Sequence, residues 1–151
     1  MNKKILYVDM DNVLVDFPAG IAQLDDDTLK KYFGNYDEVP GIFSLMPPIE
    51  EAIESYGQLS EWFNTYILST APWKNHSAWS DKVQWVQKYL GVPAYKRLIL
   101  SHNKHLNLGD YLIDDRPNNG AEDFQGEWLH FGENGYFKTW PEVMDYLRKK
   151  R

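Results

Sequence analysis

Four short apolar runs, Ile5–Val8, Tyr66–Leu68, Leu98–Leu100 and Tyr111–Ile113, each give way at once to polar residues. Runs this short, rich in β-prone side chains and without polar alternation, read as strands covered on both faces, the pattern of a parallel sheet. Trp128–Phe131 is a weaker fifth. Helical patterns lie between them. Ile49, Ala52, Ile53, Tyr56, Leu59 and Phe63 recur every three or four residues after Pro47-Pro48, which predicts a helix opening at the proline pair. Trp79, Val83, Val86 and Leu90 form a second stripe, closed by Gly91 and Pro93. Thr139-Trp140-Pro141-Glu142 predicts a capping box for a last helix. Strands alternating with helices give an α/β fold, a Rossmann-like parallel sheet with helices on both faces.

The 151 residues suit a single domain, 1–151. Its alternation breaks between Pro18 and Met46, which carry Asp25-Asp26-Asp27, Tyr32-Phe33, Gly34, Pro40 and Gly41 with only a weak helical pattern. We read 18–46 as a small helical cap inserted after the first strand, over the edge of the sheet, with the three aspartates capping a helix on a solvated face.

Sixteen Lys and Arg against twenty-two Asp and Glu leave a net charge of −6. That sign argues against a grip on nucleic-acid polymer or on an anionic membrane, while leaving room for a small phosphate ligand. Lys3-Lys4 before Ile5–Val8 has the start of a signal peptide, but Asp9 and Asp11 end the apolar run after four residues. The absence of cysteine removes disulfides, thiolate catalysis and cysteine-zinc sites, and permits the reducing cytoplasm in which we place the chain.

Ligands of such sheets bind at the carboxyl ends of the strands, so the residues just after each run matter most. They are Asp9-Met10-Asp11-Asn12-Val13, Ser69-Thr70, Ser101 to Lys104, and Asp114-Asp115. Four carboxylates, two hydroxyls and an ammonium on one rim repel one another unless a cation joins them, and oxygen ligands favour Mg²⁺. Cation and Lys104 together suit a dianionic phosphate. Asp9 is then placed to attack phosphorus, and Asp11 to protonate the leaving oxygen and deprotonate water.

The strings "DMDNVLVDF", "YILSTAPWK", "VQKYLG", "LSHNK" and "YLIDDRP" follow in an order and spacing that resemble the haloacid dehalogenase superfamily of phosphotransferases, and within it the 5′(3′)-deoxyribonucleotidases. The resemblance covers Met1 to about Gly120. It implies a Mg²⁺-dependent hydrolase that removes phosphate from deoxyribonucleoside monophosphates through an aspartyl phosphate. It implies Asp9 as nucleophile and metal ligand, Asp11 as acid/base and as a metal ligand through its main-chain carbonyl, and Asp115 completing the metal shell. It implies Ser69 as the phosphate-binding hydroxyl with Thr70 beside it, Lys104 as the neutralising lysine, and Asp114 as an auxiliary residue that orients Lys104 or a metal-bound water. Phe17 falls where the family sets an aromatic against the base, and Lys74 at a further phosphate contact. Asn12 stands where the family usually has Gly, and Asn tolerates unusual backbone angles. The segment between Phe17 and Met46 is shorter than in the family's animal members, with Tyr32, Phe33, Tyr36 and Phe43 available to replace its aromatic cluster.

Blander readings accompany these. Ser69 and Thr70 also suit a helix cap. His102 and His105 read as a loop pair, and His76 and His130 as structural. Alternative functions are a phosphatase for another small phosphomonoester, a phospho-receiver-like signalling domain, or a binding protein derived from a phosphatase. The oligomeric state is not legible.

Overall fold

The computed structural model describes residues 2–151. Five parallel strands, β1 (Ile5–Val8), β2 (Asn64–Ser69), β3 (Leu98–Leu100), β4 (Tyr111–Asp114) and β5 (Glu127–His130), form one sheet in the order β3-β2-β1-β4-β5. Leu6 pairs with Thr65 on one side and Tyr111 on the other, so β1 lies at the centre. Leu6, Val8, Ile67, Leu68, Leu112 and Ile113 are fully buried, as two-sided cover requires. The order reverses at β1, which opens a crevice beyond its carboxyl end. A receiver-type order, 2-1-3-4-5, would set β1 beside β3. Here β1 lies between β2 and β4.

The α/β class and the parallel sheet stand, but the two faces are covered unequally. Helices α3 (Ala52–Trp62), α4 (His76–Tyr89) and α5 (Trp140–Arg148) share one core with Leu6, Val8, Ile67 and Ile113. On the other face Tyr7, Leu68 and Leu112 pack against Ala121 and Phe124. The connections 101–110 and 115–126 hold one 3-10 turn each, where a longer crossover would carry a helix. The layer is correspondingly thin. A Cβ on Gly126 would come within 2.5 Å of the carbonyl oxygens of Gly109 and Asp110.

Two boundaries differ from the sequence reading. Helix α3 starts at Ala52, after Glu51 in the left-handed region, because Pro47-Pro48 is used elsewhere. Asp16 N–H donates to Pro47 C=O and Ile49 N–H to Leu14 C=O, tying the two ends of the inserted segment into a short ribbon. Helix α5 follows Thr139, but Thr139 makes no side-chain cap; Glu142 instead accepts from Lys138 N–H.

The inserted segment folds as helices α1 (Phe17–Ile21) and α2 (Asp26–Lys31) and two 3-10 turns, Tyr36–Glu38 and Ile42–Ser44. Asp25 caps α2, accepting from Thr28 N–H at 2.8 Å. Val39, Ile42, Phe43 and Met46 are buried, and Trp85 of α4 donates from Nε1 to Met46 C=O. The segment contributes Phe17, Gly34, Tyr36 and Asp37 to a cleft beside Asp9. It therefore lies over the carboxyl end of the central strand, not over the lateral edge of the sheet. Among the described residues no helix is long and apolar enough to cross a membrane.

Candidate active site

Asp9 continues the β1 ladder by one bond, its N–H donating to Ile113 C=O at 2.9 Å. The chain then folds tightly: Met10 C=O accepts from Val13, Leu14 and Val15 N–H, and Asn12 sits at φ 61°. With Met10 buried beneath, Asp9 and Asp11 both line a cleft of about 510 Å³, within the usual range for small-molecule sites. Phe17, Thr70, Lys104, Asp114 and Arg116 line it too.

Lys104 arrives from the loop after β3 and is buried. Its Nζ lies 3.1 Å from Asp9 Oδ1 and 2.6 Å from Asp114 Oδ2. Burial disfavours its charge, but Asp9 and Asp114 outweigh burial and raise its pKa. Asp9 is likewise buried, yet Lys104 and then Lys82 hold its carboxyl below the ordinary value. Asp11 goes the other way: burial, with the charge of Asp9, pushes it up against the pull of Lys82. Adjacent carboxyls thus have opposed tendencies, one toward carboxylate and one toward acid.

Asp114 and Asp115 are pushed up to about 8 and about 7, chiefly by burial and then by the charge of Asp9. Among the described residues, Asp9, Asp114 and Asp115 offer carboxylate oxygens within 4.8 Å of one another. Three crowded carboxyl groups, two of them pushed toward protonation and one lysine between them, are short of positive charge, and an all-oxygen donor set suits a hard divalent cation. The residues present fit such an ion. Both oxygens of Asp114 are engaged, Oδ2 by Lys104 Nζ and Oδ1 by Arg116 N–H, whereas Lys104 meets one oxygen of Asp9, which leaves Asp9 and Asp115 the freer carboxylates.

The strand β5 supports this corner from behind. Trp128 Nε1 donates to Asp114 C=O at 3.0 Å, and His130 Nε2 lies 2.9 Å from Asp115 C=O, its ring stacked on Trp128. His130 is therefore structural, as its sequence suggested, and His76 is exposed at the start of α4.

Two residues do not stand where the family resemblance sets them. Ser69 is fully buried and lines none of the cleft; its Oγ accepts from Lys82 Nζ at 2.8 Å. Thr70 does line the cleft, with Oγ1 donating to Ser101 C=O. Lys74 is exposed and lies outside the cleft lining, because the chain turns away there into α4. Of the four candidate aromatics, Tyr36 lines the cleft. Phe43 lies behind it, edge-on to Phe17 at 5.8 Å; Phe33 is exposed and Tyr32 half-buried.

The residue that sequence reasoning missed is Lys82. It is 0% exposed, donates to Asp11 Oδ1 at 3.0 Å and to Ser69 Oγ, and its ammonium lies 4.4 Å from the Phe43 ring centroid. The predicted stripe holds at Val86, but Val83 is exposed, and Ala78, Lys82 and Trp85 complete the buried face of α4. A lysine on that face is the signal, legible only once Asp11 is known to lie opposite. Trp73 and His102 also line the cleft, their rings 5.8 Å apart.

Known proteins resemble this chain in sequence and in fold. The pattern of the family "5′ nucleotidase, deoxy (Pyrimidine), cytosolic type C protein" matches residues 23–145. A protein of Vibrio phage KVP40 assigned as a 5′(3′)-deoxyribonucleotidase is 55% identical over 146 residues, 97% of this chain and 85% of that one. The human 5′(3′)-deoxyribonucleotidase, cytosolic type, is 29% identical over 83% of this chain and 77% of its own. Among solved structures, the HAD-hydrolase YfnB of Bacillus subtilis, bound to magnesium, superposes with a TM-score of 0.63 at 13% identity, covering 97% of this chain and 99% of that one. The haloacid dehalogenase-like protein SP0104 of Streptococcus pneumoniae gives 0.58 at 14%, covering 95% and 90%. These two show the fold. With a sequence pattern matched across most of its length and a relative at more than half identity, the chain belongs to the 5′(3′)-deoxyribonucleotidase family.

Proposed function

We propose that the chain hydrolyses deoxyribonucleoside monophosphates at the Asp9 cleft, through a phosphorylated Asp9. The observation that carries this reading is the placement of Asp9 and Asp11 at the end of the central strand, each beside its own buried lysine, Lys104 at 3.1 Å from Asp9 and Lys82 at 3.0 Å from Asp11. The lysines hold Asp9 toward carboxylate, while burial and the charge of Asp9 push Asp11 toward its protonated form. An Asp9 carboxylate oxygen attacks phosphorus as the bond to the leaving oxygen breaks, and Asp11 gives that oxygen its proton. Asp11 then takes a proton from water, which attacks phosphorus and frees Asp9 and inorganic phosphate. Lys104 balances charge between Asp9 and Asp114, while Lys82 holds Asp11 in place. Phe17, Tyr36 and Trp73 supply aromatic surface for the nucleoside, with Thr70 and Arg116 toward the phosphate.

We assign the cation as Mg²⁺, held by Asp9 and Asp115 with the Asp11 carbonyl, and Asp114 behind. Bound there, it supplies positive charge against the phosphoryl oxygens. Activity is expected to vanish with chelator and return with Mg²⁺. The unfolding midpoint is expected to rise with added Mg²⁺, since an ion at about a hundred times its Kd contributes about 2.7 kcal/mol. Activity indifferent to chelator would contradict the assignment. We place the enzyme in a cytoplasm, in keeping with the human relative's cytosolic type.

The substrate class is tested with matched nucleoside monophosphates and sugar phosphates. Faster hydrolysis of a 2′-deoxy monophosphate than of its ribo partner is expected. Equal rates, or a preference for sugar phosphates, would leave a phosphatase of another small phosphomonoester.

A further inference from the structure

The surface offered to the nucleoside comes from two separate stretches, Tyr36 and Asp37 in the inserted segment and Trp73 in the loop after β2. Neither is fixed by its own packing. The turn Tyr36–Glu38 buries none of its side chains, and Trp73 is 77% exposed. What joins the two stretches is polar.

Asn75, 3% exposed, donates from Nδ2 to the carbonyls of Asp37 and Val39, each at 3.0 Å. Its Oδ1 accepts from Ser77 Oγ at 2.6 Å, and Ser77 Oγ in turn accepts from Gly41 N–H at 2.9 Å. The main chain of Asn75 serves the other stretch, its N–H donating to Pro72 C=O and closing the turn that holds Trp73. One side chain and its neighbour thus fasten residues 37–41 to residues 72–77. We propose that Asn75 is a positioning residue for substrate selectivity, locking Tyr36, Asp37 and Trp73 into one preformed wall for the sugar and base. This rests on the reading above that the cleft beside Asp9 takes a nucleoside.

Only an amide fills this position. Two donors meet two carbonyls while an acceptor faces a hydroxyl. Alanine leaves both carbonyls without their donor, and aspartate sets lone pairs against them. The phosphate end does not depend on this clamp, since Asp9, Asp114 and Asp115 hang from the strand ends and Lys104 is held between Asp9 and Asp114. Loss of the clamp therefore leaves the chemistry in place and shifts the ordering of the wall onto the binding step, where it weakens affinity.

The test compares wild type with Asn75→Ala, Asn75→Asp and Ser77→Ala on deoxythymidine 5′-monophosphate and on p-nitrophenyl phosphate, which has no sugar or base. For the nucleotide, kcat/KM is expected to fall at least tenfold in Asn75→Ala, mostly through KM, further in Asn75→Asp and less in Ser77→Ala. For p-nitrophenyl phosphate it is expected to stay within twofold. Amide hydrogen exchange over residues 36–41 is expected to quicken in the variants, with β1 and β4 unchanged. A parallel fall for both substrates, an unchanged KM for the nucleotide, or unchanged exchange at 36–41 would overturn the proposal. If the Asn75 variants do not fold, Ser77→Ala carries the same test by the same ratio and exchange. A wild type that hydrolyses p-nitrophenyl phosphate but not the nucleotide would overturn the functional reading instead, and the exchange arm would still judge the clamp.

Discussion

Asp9→Asn is expected to fold like the wild type and to lose about ten-thousandfold or more in phosphate release, the scale on which removing a nucleophile acts. The amide keeps the shape of the side chain but cannot form the acyl phosphate. The fold survives because Lys104 keeps its 2.6 Å partner, Asp114, so no buried ammonium is orphaned. Removing the charge of Asp9 also relieves Asp114 and Asp115, whose carboxyls it helps to push up to about 8 and about 7. Without metal, the unfolding midpoint is therefore expected to stay level or rise. Phosphate release and a thermal melt on the same preparation check both halves. Turnover near the wild-type rate would remove Asp9 from its role.

The second large effect is expected from Lys82→Met, which keeps most of the length of the side chain and removes its charge. Lys82 is fully buried against Asp11 and Ser69, and its loss leaves Asp11 beside Asp9 with no cation of its own. Breaking one side of a buried pair costs about 3–5 kcal/mol, and the low end applies here because the Asp11 side chain is 22% exposed. Asp11 is then free to leave the position from which it exchanges protons, a contribution of about a hundredfold to ten-thousandfold in rate. A fall in kcat of at least a hundredfold, in protein shown by its melt to be folded, is expected. An unchanged kcat would show that Asp11 needs no such support.

The strands were legible because a parallel sheet writes itself as short apolar runs with no alternation, and Ile5–Val8 and Leu98–Leu100 match the observed strands end to end. The carboxylates at the strand ends were legible for the same reason: topology alone brings Asp9, Asp114 and Asp115 to one rim. What escaped is tertiary. The stripe on α4 holds at Val86 and Leu90 and fails at Val83, because an apolar stripe assigns Val83 inward and gives a lysine no reason to be buried. That reason is Asp11, 71 positions away in the chain. The proline pair reads as a helix start on local propensity, yet Pro48 is drawn into a bridge with Val15 across the base of the inserted segment. The second face of the sheet reads as helical by alternation alone, while its connections hold 3-10 turns in place of α-helices. Ser69 shows the limit of analogy by position, since a residue directly after a strand was given to the substrate and lies instead beneath Lys82.

The phosphorylated Asp9 itself is the most direct test. In Asp11→Asn, a leaving group as good as p-nitrophenolate needs no proton to depart, while the second step lacks its base and slows. Acid quenching during turnover and mass analysis of the peptides should then show an addition of about 80 Da, the mass of a phosphoryl group, on the peptide that carries Asp9. Nitrophenol released with no adduct on that peptide, or with the adduct on another residue, would contradict the account.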